Sequence, residues 1–261
     1  MDEFSKEIAK QTEGVLTEVY KDGLSQSVQP IGTVLSYLPR TIRLAFSKWE
    51  KWIVNGEESL KLTGELLREK ISKIPEEKIC EPESYVAIPA IQQISYCENS
   101  EDLRNLYANL LASSMNIDTK WNVHPSFVDI IKQLNPDEAK IMKNLVPNPM
   151  MTYPLVDVRL NQKNSQGGLT LLTNFTDVSL EIIDNPGNIC SYIDNLERLK
   201  LIEIPALLSL TDPKSYENIK ESTLLKNSIN KSFTDIFNVD YQYKLFRVTN
   251  FGANFIKTCC I

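Results

Sequence analysis

The sequence predicts a mainly helical protein of the α+β class, an N-terminal helical bundle followed by a C-terminal module with a small antiparallel sheet. Three observations predict it. Up to Leu145, apolar residues recur at helical spacing in segment after segment, and glycine is scarce, with 9 in 261 residues. The last third changes character: Ile189, Tyr192, Ile193, Leu196 and Leu199 share one helical face, and Leu201-Ile202-Glu203-Ile204 follows at once with a strand-like tendency. Tyr241–Val248 then returns as an alternating apolar strand, and Thr249-Asn250 can cap a closing helix over Phe251–Cys259. Helix, strand, long excursion, strand and helix is a winged-helix-like order, in which two strands form a hairpin behind a helix.

Size and composition support a folded core. Hydrophobic residues make up 42% of the chain and charged residues 24%, so global disorder is not expected. The organisation read from the sequence is an N-terminal helix or tail over 1–28, a helical domain over 29–148 and the winged-helix-like module over 149–261, with a helical insertion at 205–240. The first 11 residues are acidic and polar, without the basic leader and apolar run of a signal peptide. No stretch approaches the ~20 apolar residues of a spanning helix, so a cytoplasmic protein is expected.

Taken in order, residues 1–27 carry Ile8, Val15, Leu16, Val19 and Tyr20 and predict an amphipathic helix, broken by Gln29-Pro30. Ile31–Val54 follows with Leu35, Leu38, Ile42, Trp49 and Trp52, interrupted by Pro39, which predicts two helices or one kinked helix. Arg40, Arg43, Lys48 and Lys51 decorate it. An ordinary bundle helix and a helix lying on a membrane surface both fit that pattern. Glu57–Ile74 predicts an exposed helix, and Glu76–Pro89, with Pro75 just before it, a semi-extended linker.

A short helix is expected over Ala90–Tyr96. The clearest helix comes next: Asn99 as cap, Glu101 and Asp102 in the first turn, and a stripe of Leu103, Leu106, Tyr107, Leu110 and Leu111. His124-Pro125-Ser126-Phe127 opens another helix. Asn135-Pro136-Asp137-Glu138 opens the next, with a cap, a proline at the first position and two acids. Leu155–Leu160 alternates as a strand does. Leu169–Phe175 and Val178–Ile183 are apolar, and periodicity leaves strand or short helix open. Asp184-Asn185-Pro186-Gly187-Asn188 is a turn. The excursion 205–240 is too apolar for disorder and predicts an inserted helix.

No catalytic signature emerges. His124 is the only histidine, so any triad would have to use it. A capping or loop histidine is the plainer reading. Neither phosphate-cradling glycine motif occurs, and the five cysteines, Cys80, Cys97, Cys190, Cys259 and Cys260, show no metal-ligand spacing. Reduced thiols, no cofactor, no metal and no enzymatic activity are expected. The interaction candidates are Arg40, Arg43, Trp49 and Trp52 in the first half and Arg198, Lys200, Lys244 and Arg247 in the second. Charge disfavours nucleic acid as the partner: the net charge is −6, and Trp121–Ile261 holds 14 basic against 15 acidic residues, a balance of −1. A winged helix used for protein docking or for self-association fits that balance better.

The run Leu103-Arg104-Asn105-Leu106-Tyr107-Ala108-Asn109-Leu110-Leu111-Ala112-Ser113-Ser114-Met115, then His124-Pro125-Ser126-Phe127, then Leu134-Asn135-Pro136-Asp137-Glu138-Ala139, resembles the bacterial abortive-infection alpha family. The resemblance returns in Tyr192-Ile193-Asp194-Asn195-Leu196-Glu197-Arg198-Leu199 with Leu201-Ile202-Glu203, and in Thr249-Asn250-Phe251-Gly252-Ala253-Asn254-Phe255. It covers roughly Pro30 to Ile261. It implies a bacterial cytoplasmic protein of phage defence, in which an infected cell stops growing or dies before progeny emerge. It implies no catalytic residues. Two mechanisms follow: a sensor or effector that binds a phage or host protein, and a membrane-perturbing effector that uses helices 31–54.

Overall fold

The computed structural model describes residues 57–97, 99–163, 167–229 and 236–261. The expected helices over 1–28 and 31–54, with Arg40, Arg43, Trp49 and Trp52, lie outside the described residues, as does Phe233 of the excursion.

The helical half contains α1 (Glu57–Ile71), α2 (Ser84–Ile94), α3 (Glu101–Ser114), α4 (Ser126–Gln133) and α5 (Pro136–Asn144). Helix α3 is central. Arg104, Ser114 and the whole run Leu106–Ala112 are buried, as a helix packed on most sides requires. Ser59 and Thr63 let α1 bury polar positions, because Ser59 donates to the Ile94 carbonyl and Thr63 to the Ser59 carbonyl at 2.7 Å.

Two expectations change here. The stretch before Pro89 is not all linker, since α2 begins at Ser84 and carries Pro89 inside it. Proline removes one helical hydrogen bond, and burial of Val86, Ala87, Ala90, Ile91 and Ile94 offsets that loss. The cap of α3 is Ser100, not Asn99: its side chain accepts from the Leu103 amide at 3.3 Å. The start of α5 is as the sequence predicts. Asn135 Oδ1 accepts from the Glu138 amide at 2.9 Å, and Glu138 Oε2 accepts from the Asn135 amide at 2.8 Å.

The second half is a four-stranded antiparallel sheet with helices. Strands β1 (Thr152–Gln162), β2 (Gly168–Phe175), β3 (Ile202–Glu203) and β4 (Phe237–Val248) lie in the order β2-β1-β4-β3. Leu169–Phe175 is therefore a strand, whereas Val178–Ile183 is neither strand nor helix but a run of turns. Pro154 is tolerated in β1 because pairing with β2 starts only at Val156, leaving β4 as its sole neighbour there. Helix α6 (Ile189–Arg198) precedes β3. The excursion carries α7 (Glu217–Glu221) and α8 (Thr223–Ser228), which bury Ile219 and Leu225.

The chain closes with α9 (Asn250–Phe255), capped by Thr249, whose Oγ1 accepts from the Gly252 amide at 2.8 Å. The expected closing helix does not stay α-helical: Ile256–Cys260 widens into a π-helical turn. Side chains of α3 take up carbonyls of that turn. Asn109 Nδ2 donates to the Cys259 carbonyl at 2.8 Å and Ser113 Oγ to the Thr258 carbonyl at 2.9 Å. The closing segment thus packs into the helical half, and most of the buried apolar residues described form one cluster running from Leu67 to Cys260.

Gly252 makes this docking geometrically available. A Cβ built there would lie 1.9 Å from the Leu201 carbonyl oxygen, so only glycine lets α9 approach the start of β3 this closely. The same carbonyl accepts from the Thr249 amide at 3.1 Å.

Candidate functional site

The first turn of α5 meets α6 in a polar junction under the loop 184–188. Asp137 is buried, with 3% of its surface exposed, and both carboxylate oxygens are occupied. Oδ1 accepts from the Asp184 amide at 2.8 Å. Oδ2 accepts from the Asn185 amide at 2.9 Å and from the Tyr192 hydroxyl at 3.0 Å. Burial alone would raise this carboxyl, but the two amides and the tyrosine hydroxyl hold it below the usual range. Lys140 spans the same corner, 3.7 Å from Asp137 and 2.7 Å from Asp184.

Glu138 is equally buried. Its Oε1 accepts from Asn195 Nδ2 at 2.9 Å, and the same amide donates to the Gln133 carbonyl at 3.1 Å. Burial pushes this carboxyl up, against the lowering effects of the Asn135 amide, Asn195 and Arg198. Arg198 completes the layer, donating from Nη1 to Gln133 Oε1 at 3.0 Å and from Nε to Asn195 Oδ1 at 2.9 Å.

A second junction is aromatic. His124 packs on Phe127 and Phe251, with ring centres 6.0 and 5.7 Å apart, and Phe127 packs edge-on against Phe255 at 5.3 Å. His124 Nδ1 lies 2.6 Å from Ser126 Oγ and accepts from the Ser126 amide at 3.2 Å. The ring thus serves the start of α4 at an exposed position, in keeping with a capping or loop histidine. Among the described residues, no group of three or more His, Cys, Asp or Glu side chains could hold a metal ion.

The four cations proposed from the second half do not form a free basic surface. Lys244 lies 3.0 Å from Asp157 Oδ1 and also donates to Asn174 Oδ1. Arg247 Nε donates to Glu203 Oε1. The two stand three residues apart on β4, whose register with β1 is unbroken, so they point to opposite faces of the sheet. Arg198 is held by Gln133 and Asn195, as above. Lys200 sits at the exposed end of α6 with φ 60°, and its carbonyl accepts from Thr249 Oγ1 at 2.6 Å.

Four of the five thiols are quiet. Burial pushes Cys97 and Cys190 up to about 11 and Cys260 up to about 12, and it raises Cys259 well above its ordinary value too. A protonated thiol is a poor nucleophile at neutral pH.

The model of the family described as abortive infection alpha matches residues 55–259. The chain belongs to that family. No curated protein and no solved structure matches it. The abortive infection alpha signature can now be placed in space. Its Asn135-Pro136-Asp137-Glu138 segment bonds to its Tyr192–Leu199 segment through Asp137–Tyr192 and Glu138–Asn195. Its His124–Phe127 segment packs on Phe251 and Phe255 of the closing segment. Its long helix α3 holds the final π turn through Asn109 and Ser113. The sequence marks Asp137 and Glu138 only as a helix start. Their second role, as acceptors for α6, has no local signal, because the donors lie 55 and 57 residues downstream.

Among the described residues, no helix of this family member is long and apolar enough to cross a membrane.

Proposed function

We propose that this abortive infection alpha protein acts in the bacterial cytoplasm as a phage-defence sensor or effector, by binding a phage or host protein rather than by making or breaking bonds. Helix α6, β3 and β4 serve in this reading as a winged-helix-like module, with the excursion after β3 as its wing. The carrying observation is the apolar loop of that wing. Leu207 is fully exposed, with its backbone in the left-handed region at φ 63°, and Leu208 is half exposed beside it. A branched residue held in that conformation with its side chain in water has no role in the core, and it offers an apolar anchor to a partner's pocket.

The experiment is a phage-infection assay with the variant Leu207→Asp/Leu208→Asp. Loss of protection at an unchanged melting temperature is the expected result. Full protection by the double variant overturns the reading.

The alternatives draw less support. A DNA-reading module wants free clustered cations, and Arg198, Lys244 and Arg247 are each bonded within the chain. The membrane-perturbing reading depends on 31–54, and early loss of membrane potential in infected cells would favour it over protein docking.

A further inference from the structure

Strand β4 has an unpaired outer edge over much of its length. The Lys163 amide donates to the Ile236 carbonyl at 3.2 Å on the β1 side, and the Thr249 amide donates to the Leu201 carbonyl at 3.1 Å on the β3 side. Successive residues of a strand turn their backbone groups to opposite sides, and the register of β4 with β1 is unbroken. Val239, Tyr241 and Tyr243 therefore aim N–H and C=O away from β1. Strand β3 covers this edge only as far as Glu203, which faces Arg247. Continued in register, Pro205 falls opposite Leu245, and proline has no N–H to extend the ladder. Among the described residues, nothing bonds to the outward backbone groups of Val239, Tyr241 and Tyr243. We propose that a second copy of this chain pairs with this edge, β4 against β4, antiparallel about a two-fold axis at Tyr241. The proposal concerns self-association and stands apart from the leucine-anchored docking of a phage or host protein above.

The opposite edge of the sheet is less suited to a further strand. Pairing of β2 with β1 breaks register between Val156 and Val158 and again between Val158 and Arg159, and Asn174 takes φ 56°. Bulges of that kind twist an edge out of line. The β4 edge is regular by comparison. A two-fold contact must also be self-complementary, which selects the register. An axis at Asp240 would set that carboxylate against its own copy, an unfavourable pair. An axis at Tyr241 sets Asp240 against the partner's Gln242 and Val239 against the partner's Tyr243. In that register each facing pair of Val239, Tyr241 and Tyr243 exchanges both of its backbone hydrogen bonds.

The side chains suit the contact as well. Asn238, Asp240, Gln242 and Tyr243 are exposed, so none of them is committed to the core. Val239, Tyr241 and Tyr243 share one face of the sheet. There the Lys220 ammonium lies 5.6 Å from the Tyr241 ring centre and 4.9 Å from that of Tyr243, and Tyr216 packs on Tyr243 with ring centres 4.6 Å apart. Both rings are held before a partner arrives, so pairing has little side-chain freedom left to remove. Cross-strand pairs of an aromatic and a β-branched residue, such as Tyr243 with the partner's Val239, add to the backbone bonds.

The test is sedimentation equilibrium of the full chain over a range of concentrations. A reversible dimer is expected. Val239→Pro deletes one outward amide and leaves the β1 ladder intact, because that amide faces away from β1; it should weaken association about tenfold. Gln242→Glu sets a carboxylate against the partner's Asp240 and should loosen the dimer, whereas Gln242→Lys should tighten it. A chain that stays monomeric at every concentration overturns the proposal. So does a dimer that a folded Val239→Pro leaves intact, or one in which the two Gln242 variants associate alike, since its contact would lie on another surface. Should Val239→Pro fail to fold, the two Gln242 variants decide: they respond in opposite directions, or the proposal falls.

Discussion

The Tyr192 hydroxyl donates to Asp137 Oδ2 at 3.0 Å, joining the first turn of α5 to the buried face of α6 across 55 residues of chain. The carboxylate that receives it also takes two backbone amides of the intervening loop. One side chain thereby sets the position of a helix and of the turn that leads into it.

Replacing Asp137 by Asn leaves an amide NH₂ facing amide donors, so a buried donor loses its acceptor. A loss of about 2–3 kcal/mol is expected in denaturant unfolding at neutral pH. Tyr192→Phe removes one hydrogen bond and should cost about 1–2 kcal/mol. The two losses should fall short of additive in the double variant, because they share one contact. Strict additivity would mean that the hydroxyl and the carboxylate do not interact.

The two buried carboxylates of α5 respond to pH with opposite sign. Asp137 titrates below its ordinary value in the folded state, so its contribution is complete above pH 3.8 and fades as the pH falls through the lower folded value. Glu138 titrates above 4.5 in the folded state. Its protonation favours the fold, and its ionisation costs stability as the pH rises through the folded value. Acid titration of Asp137→Asn beside the unaltered protein checks the first sign: the gap between them should close only below pH 3.8.

Gly252→Ala should destabilise by roughly 2–3 kcal/mol, because the added methyl meets the Leu201 carbonyl and α9 must withdraw from β3. Gly187→Ala is the control, since nothing lies within 4 Å of a Cβ placed there. Equal melting temperatures for the two variants would remove the close-approach argument.

His124→Ala deletes the contact to Ser126 and the edge of the aromatic cluster, at an exposed position. A loss of about 1 kcal/mol and full phage protection are expected. Abolished protection in a normally folded variant would point to a chemical role for the imidazole.

A gel shift with duplex DNA at ~50 mM salt should show no retarded species, since the cations of α6 and β4 are already matched by acceptors of the chain. A retarded band that Lys244→Gln weakens would restore the DNA reading.

Local rules made much of this protein legible in one dimension. The Asn135-Pro136-Asp137-Glu138 start, the Thr249 cap, the apolar stripe of α3 and the alternation of β1 depend on neighbours a few residues away, which spacing records. The same rules mislead where distant burial outweighs them. Pro89 lies inside α2 because five buried side chains hold the helix together. Leu169–Phe175 resolves to a strand only because β1 is there to pair with it.

The residues that carry the family resemblance show the division most clearly. The sequence by itself determined that they cap helices and fill cores, and that no familiar catalytic pattern accompanies them. Only the tertiary structure decided that Asp137 receives Tyr192, that Gly252 lies against Leu201 and that Asn109 takes up the Cys259 carbonyl. Such partnerships depend on where chain segments dozens of residues apart come to rest, and short-range periodicity holds no record of that.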